Sequence, residues 1–298
     1  MDADVAGRIA AIGDVVGPEA LEASRAVYAD AHEEPPYEGV ALTRDVAYGP
    51  HERHRLDLFA AAGADGRAVI VFVHGGGFVR GDKSTPGTPH NANVGLWAAR
   101  AGLVGVTMNY RLAPEHRWPS GAEDVGAAVA WLRANVADHG GDPERIVLMG
   151  SSAGATHIAG YAALPALHHD GEPGIRGLVL LSGAYDLPAF DDEAVLGPYF
   201  GHRAGWEAAS PLEGLVASGL PVMVAVAEHD PPVSHGQAAI AFTALYDRGG
   251  RVPHLVYVPG HNHFTEVFHL NTGDRVLGDQ IAAFVEAHAP VRERSGRA

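Results

Sequence analysis

Short apolar runs recur along this chain, and segments with helical periodicity separate them. Six of the runs are rich in Val, Ile and Leu and show no polar alternation. Such runs are typical of parallel strands that helices cover on both faces. The six predicted strands are residues 68–73, 103–108, 146–149, 178–182, 222–227 and 255–258.

Two earlier segments have a different pattern. Residues 44–48 and 55–59 alternate polar and apolar positions around Gly49 and Pro50, which predicts an antiparallel hairpin at a sheet edge. Segments whose apolar residues have helical spacing lie between the strands, at 92–101, 122–137, 153–164, 234–246 and 274–287. This alternation predicts an α/β fold with about eight strands, mostly parallel. Ligands of such sheets bind at the carboxyl ends of the strands.

Two stretches lie outside the alternating pattern. Residues 1–43 are predicted to form an N-terminal helical segment that precedes the sheet, and residues 183–219 form an insertion that carries several aromatic side chains. Long insertions at the ligand-binding end of a sheet are usually lids or pocket walls. We therefore predict a small cap built from these two stretches, on a single domain that spans residues 1–298. The alternative is that the insertion is an ordinary surface loop and does not cover the site.

Composition narrows the class of protein. The chain has 298 residues, is 47% hydrophobic and carries a formal net charge of −15. This charge argues against nucleic-acid partners and against an anionic membrane surface. The absence of cysteine excludes disulfides, thiolate metal sites and a cysteine nucleophile. The N-terminus lacks the pattern of a signal peptide, and no apolar run is long enough to span a membrane, so the cytoplasm is the expected location.

The most informative motif is the turn Gly150-Ser151-Ser152-Ala153-Gly154. It follows a predicted buried strand and precedes a predicted helix, which is the context of a serine nucleophile on a sharp turn. Ser152 is the candidate nucleophile. Bulky side chains two residues to either side would clash, which explains the two glycines. The alternative is a glycine-rich helix start with two capping serines.

A second glycine-rich segment follows the strand at 68–73 directly. His74-Gly75-Gly76-Gly77 can bring backbone N–H groups close to a substrate, as an oxyanion hole requires. A flexible glycine loop is the alternative. The position of this segment upstream of the serine turn favours the oxyanion hole.

An acid and a histidine should follow the serine in that order. Asp230 comes just after the strand at 222–227, and His263 comes after the strand at 255–258. Both therefore fall at strand carboxyl ends, where the site should be. Glu228 as the acid and His261 as the base are the competing assignments.

Three stretches together resemble one family. His74–Phe78 with Gly81-Asp82-Lys83, then Tyr110-Arg111-Leu112-Ala113-Pro114-Glu115-His116, then Gly150–Gly154 resemble the α/β-hydrolase fold and, within it, the hormone-sensitive-lipase-like esterases. Two departures occur: Asn109 stands where that branch usually has Asp, and Phe264 follows His263 directly. The second departure resembles arylformamidases and bacterial feruloyl esterases.

The resemblance implies a serine carboxylesterase that needs no cofactor or metal. It implies Ser152 as nucleophile, Asp230 as acid and His263 as base, with the N–H groups of Gly76, Gly77 and Ala153 as the oxyanion hole. The expected partner is a small-molecule ester, short-chain or aryl, and a homodimer is left open. Arylformamidase activity and a non-catalytic ligand-binding role are the alternatives. The residues expected to line an apolar pocket are Phe78, Val79, Tyr199, Phe200 and Trp206.

Overall fold

A computed structural model describes residues 1–85, 87–169, 171–249 and 252–291. Eight strands form one sheet in the order β1-β2-β4-β3-β5-β6-β7-β8. The first two pairings, β1 with β2 and β2 with β4, are antiparallel, and the others are parallel. The strands are β1 Val40–Ala47, β2 Arg55–Ala61, β3 Arg67–Val73, β4 Val104–Met108, β5 Gly141–Ser151, β6 Gly177–Leu181, β7 Val222–His229 and β8 His254–Asn262.

The sheet confirms the predicted fold class and strand count. The edge hairpin and the six predicted strands are present, but β5 and β8 extend beyond their apolar runs. The prediction that all six are buried on both faces is wrong for β8, an edge strand in which Leu255 and Tyr257 are exposed. Backbone pairing continues to Gly141 in β5 and to Asn262 in β8, beyond the apolar residues of each strand. Apolarity therefore located these strands but underestimated their length.

Helices cover both faces of the sheet. The helices are α1 Ala3–Ile12, α2 Pro18–Tyr28, α3 Ala92–Arg100, α4 Ser120–Asn135, α5 Ala153–Ala163, α6 Leu187–Phe190, α7 Glu193–Phe200, α8 Trp206–Ala209, α9 Leu212–Ser218, α10 Pro232–Gly249, α11 Thr265–Phe268 and α12 Gly278–His288. All five predicted helices are among them. In the described part of the chain, no helix has the length and apolar character that crossing a bilayer requires.

Alternate residues of β3 show how the core divides into two layers. Val69 and Val71 pack in a cluster with residues of α4, α5 and α9. Ile70 and Phe72 point to the opposite face and pack in a cluster with residues of α1, α3 and α12. Both faces of β3 are therefore buried, which explains its uninterrupted run of Val, Ile and Phe at residues 69–73.

The two stretches outside the alternating pattern lie near the carboxyl ends of the strands. Residues 1–43 contain α1 and α2, and the insertion at 183–219 folds into α6 to α9. Val16 and Leu21 from the first stretch, and Phe190 and Val195 from the second, line one cavity together. Both stretches thus contribute to the wall of the same site.

Candidate active site

Ser152 lies between β5 and α5 on a strained turn. Its φ of 53° and ψ of −120° fall in a region that residues other than glycine rarely occupy. A Cβ on Gly150 would lie 2.5 Å from backbone atoms of Gly154, and a Cβ on Gly154 would collide with the carbonyl oxygen of Val73. The turn can therefore form only with glycine at both positions.

This steric requirement predicts a large loss of stability for Gly154→Ala. The new methyl group must push against the backbone of β3 at the centre of the sheet, so we expect a cost of several kcal/mol, on the order of the largest single-site effects. The matched control is Gly236→Ala in α10, where a Cβ would meet no atom within 4 Å. Alanine there should stabilise the helix by about 0.5–1 kcal/mol.

Urea denaturation of the two variants beside the parent protein measures both effects. A Gly154→Ala variant as stable as the parent would contradict the packing described for the serine turn.

Asp230 and His263 form a buried hydrogen-bonded pair. Oδ1 of Asp230 lies 2.6 Å from Nδ1 of His263, and Asp230 follows β7 while His263 follows β8. Oδ2 of Asp230 accepts hydrogen bonds from the Ser182 hydroxyl at 2.6 Å and from the Ala227 N–H at 2.7 Å. Both carboxylate oxygens are therefore held, and the imidazole is held through one of them.

A second buried carboxyl group, Glu266, lies beside this pair. Its Oε2 is 3.1 Å from the Ser182 hydroxyl, and its side chain is fully buried in α11. A serine hydroxyl has one hydrogen, and the shorter contact gives that hydrogen to Asp230. Glu266 must then donate its own proton to the Ser182 oxygen, which requires a neutral carboxyl group.

Burial and charge act in opposite directions on the two acids. Burial alone would raise the pKa of Asp230, but hydrogen bonds from His263, Ser182 and Ala227 hold it below its usual value. Burial raises the pKa of Glu266 well above its usual value, and the negative charge of Asp230 raises it further. The Ser182 contact offsets only part of this rise.

The raised pKa of Glu266 predicts a pH-dependent cost in stability. An unfolded chain releases this proton near pH 4.3, whereas the folded protein retains it. As pH rises above that value, the unfolded state is therefore favoured progressively, until Glu266 ionises in the folded state. Glu266→Gln removes this effect and keeps a donor for Ser182. We expect the melting temperature of the variant, relative to the parent, to rise between pH 5 and pH 8.

Scanning calorimetry across that range tests the expectation. The ionisable groups facing Glu266 are Asp230, His263 and Tyr185, and all remain in the variant. A difference in melting temperature that stays constant with pH would mean that Glu266 is ionised in the folded protein.

The competing acid and base lie elsewhere. Glu228 is exposed, and its Oε2 accepts a hydrogen bond from the N–H of Gly260 at 2.7 Å. His261 is buried, with its Nε2 3.4 Å from Oδ2 of Asp274. Of the predicted acids and histidines, the structure brings together Asp230 and His263.

Gly76, Gly77 and Ala153 line the same cavity as Ser152 and carry backbone N–H donors. Gly76 has a φ of 135° and Gly77 a φ of 58°, conformations that aim successive N–H groups to one side of the loop. Ala153 is the first residue of α5, where the positive end of the helix dipole favours negative charge. Among the described residues, none accepts a hydrogen bond from the N–H groups of Gly76, Gly77 and Ala153.

The residues after β4 support the glycine loop from behind. The Tyr110 hydroxyl donates to the carbonyl of His74 at 2.9 Å. Asn109 accepts from the N–H of Lys83 at 2.6 Å and donates to Asp82 at 3.0 Å. Asn109 therefore serves as both acceptor and donor, which an ionised aspartate at this position could not do.

Ser152 and His263 line one cavity of about 520 Å³, together with the glycine loop and Ala153. This volume suits a small ligand. The cavity's apolar walls come from the loop, both cap stretches, the end of β3, the start of α10 and the residues that follow His263. The larger apolar side chains are Val16, Leu21, Phe72, Phe78, Phe190, Val195, Val233, Phe264, Val267 and Phe268.

Only one of the five predicted pocket residues, Phe78, lies in the cavity wall. Val79 points outward and is 40% exposed. Tyr199, Phe200 and Trp206 lie in an apolar cluster with Phe78 and do not line the cavity. Tyr199 stacks on Phe78 with ring centroids 4.9 Å apart. The insertion folds most of its aromatic side chains into its own core, so they support the wall without forming it.

Comparison with known proteins agrees with this geometry. A family model described as the alpha/beta hydrolase fold matches residues 70–266, and the chain belongs to that family. It is 31% identical to Esterase LipQ of Mycobacterium tuberculosis over 267 residues, which are 82% of this chain and 62% of LipQ. It is 29% identical to the probable carboxylic ester hydrolase LipM of the same organism, over 68% of this chain and 51% of LipM.

The chain thus spans between about half and three-fifths of the length of these two relatives. A solved structure described as an esterase from the bacterial hormone-sensitive lipase family is similar with a TM-score of 0.69 and 25% identity. That similarity covers 96% of this chain and 97% of the other.

Proposed function

We propose that the protein is a serine hydrolase that cleaves carboxylic esters through an acyl-enzyme. The observation that carries the proposal is the convergence at one apolar cavity of Ser152, the Asp230–His263 pair and three unpaired backbone N–H groups. The names of LipQ and LipM, an esterase and a probable carboxylic ester hydrolase, support it.

The first half of the reaction forms the acyl-enzyme. Oγ of Ser152 attacks the ester carbonyl while Nε2 of His263 takes its proton. Asp230 holds Nδ1 of the imidazole, fixes its tautomer and stabilises the imidazolium that forms. The negative oxygen that develops is stabilised by the N–H groups of Gly76, Gly77 and Ala153. His263 then gives its proton to the leaving alcohol.

The second half repeats these steps with water. His263 takes a proton from water, which attacks the acyl-enzyme, and Ser152 leaves with that proton. Glu266 keeps a neutral carboxyl group behind Ser182, so Asp230 carries the negative charge beside His263. Glu266 thereby positions Asp230 through the Ser182 hydroxyl.

The shape and lining of the cavity favour short-chain or aryl acyl groups. Its walls are apolar, with Phe78, Phe190 and Phe264 among them, and an apolar wall binds uncharged acyl groups better than charged ones. Hydrolysis of p-nitrophenyl acetate, butyrate, octanoate and laurate tests this. We expect kcat/KM to be highest for acetate or butyrate and to fall at least tenfold by laurate.

An arylformamidase is the second candidate, because Phe264 follows His263 directly and its ring lines the cavity beside it. The same residues would then cleave a formamide. If N-formylkynurenine were hydrolysed with a kcat/KM more than tenfold that of p-nitrophenyl butyrate, the ester assignment would be wrong. Hydrolysis of neither substrate class would contradict both candidates.

A further inference from the structure

We propose that His261, His269 and Asp274 form a binding site for a divalent transition-metal ion of the zinc class, behind the loop that carries His263. His261 lies near the end of β8, His269 follows α11, and Asp274 precedes α12. Both imidazoles are fully buried, with ring centroids 4.1 Å apart. One ligating atom from each of the three residues lies within 4.8 Å of the other two.

The single hydrogen bond of the His269 ring leaves its other nitrogen with a free lone pair. Its Nδ1 lies 2.8 Å from the carbonyl oxygen of Thr265. A carbonyl can only accept, so Nδ1 carries the hydrogen and Nε2 is a bare acceptor. This Nε2 is buried without a hydrogen-bond partner. A metal-bound histidine commonly has this arrangement, in which the other ring nitrogen donates to a backbone carbonyl.

Asp274 adds a second acceptor. Its Oδ1 accepts a hydrogen bond from the N–H of Val276 at 3.1 Å, whereas its Oδ2 is buried without a hydrogen-bond partner. The terminal amine of Met1 forms an ion pair with this Oδ2 at 3.5 Å, but Nε2 of His269 has no partner among the described residues. Both ring nitrogens of His261 also lack hydrogen-bond partners. A neutral His261 has a single N–H and can donate to only one of these buried acceptors. An acceptor left unpaired is costly, and a bound cation removes that cost.

The spacing suits tetrahedral coordination. Bonds of about 2.0–2.1 Å to a tetrahedral zinc ion place neighbouring ligand atoms about 3.3–3.4 Å apart. Nε2 of His261 and Oδ2 of Asp274 are 3.4 Å apart. Two imidazoles and one carboxylate are also a ligand set that zinc and cobalt accept. A water molecule would take the fourth position.

The site would fix a catalytic segment without taking part in the chemistry. His261 precedes His263 by two residues, and the segment from β8 through α11 to residue 274 carries all three ligands. An ion here ties the start of α12 to the loop that carries His263. The expected role is structural, so its test does not depend on turnover.

Metal content is the direct test. Chelator-treated protein is equilibrated with zinc chloride, dialysed and analysed by inductively coupled plasma mass spectrometry. We expect about one zinc ion per chain, and at least a hundredfold weaker binding for His269→Ala and for Asp274→Asn. Cobalt(II) should give the intense visible bands of a tetrahedral site. Far-UV circular dichroism shows whether each variant is folded.

A surface histidine pair supplies the matched control. The rings of His51 and His116 are 5.0 Å apart and are partly exposed, so they could bind zinc adventitiously. The double variant His51→Ala/His116→Ala should keep the full zinc content. Any of three results overturns the proposal. The first is that the parent protein retains no zinc, which would mean that the cluster holds an ordinary buried water. The others are that zinc is lost with His51 and His116, or that a folded Asp274→Asn variant binds zinc as tightly as the parent.

Discussion

Replacing Ser152 with alanine should lower kcat for p-nitrophenyl butyrate by roughly 10⁶-fold, the size of effect found when a serine hydrolase loses its nucleophile. The reason is that the acyl-enzyme can no longer form, and the remaining backbone donors supply only a small part of the rate. Steady-state kinetics measures the loss. Thermal melting should be nearly unchanged, because alanine removes one hydroxyl and no backbone contact.

Ser151→Ala is the control for this experiment, since the two serines are neighbours on the same turn. Ser151 is the last residue of β5, and its side chain is largely buried. We expect its kcat to stay within about tenfold of the parent value. If Ser152→Ala retained more than about a hundredth of the parent kcat, then the nucleophile would lie elsewhere.

Replacing Asp230 with asparagine should lower kcat by about 10⁴-fold. The substitution preserves shape but presents an amide to Nδ1 of His263, which favours the wrong tautomer of the imidazole and removes the charge that stabilises its protonated form. The same kinetic assay measures this effect. Calorimetry of the variant checks that its fold is retained.

Glu228→Gln is the matched control, because Glu228 is the nearest competing acid in the sequence. Its carboxylate is exposed and bonds to the backbone at Gly260, so we expect at most a few-fold change in kcat. A result in which Glu228→Gln caused the large loss and Asp230→Asn the small one would reverse the assignment of the acid.

The residues that the sequence located well are those with a steric or topological role. Uninterrupted apolar runs such as that in β3 mark strands, so the strand count and the α/β class could be predicted, although the similar run in β8 lies at the sheet edge with alternate side chains exposed. Gly150 and Gly154 are needed because backbone from β3 and α5 approaches them closely. Asp230 and His263 could be located because strand carboxyl ends converge at one edge of a parallel sheet.

The residues that the sequence missed depend on contacts between distant segments. Ser182 and Glu266 are 84 positions apart and share one hydroxyl, and no spacing rule indicates this pairing. Glu266 in particular looks like an ordinary helix acid, since nothing in the sequence marks it as fully buried. The prediction that the insertion's aromatic residues line the cavity was wrong for a related reason. Tyr199 and Trp206 are of the right residue type, but the insertion folds them into an apolar cluster.

The most direct test of Ser152 as the nucleophile is to react the protein with a fluorophosphonate and map the adduct by peptide mass spectrometry. We expect a single adduct on Ser152, formed in proportion to the loss of esterase activity and absent from Ser152→Ala. An adduct on a different residue, or full inactivation with Ser152 unmodified, would contradict this assignment.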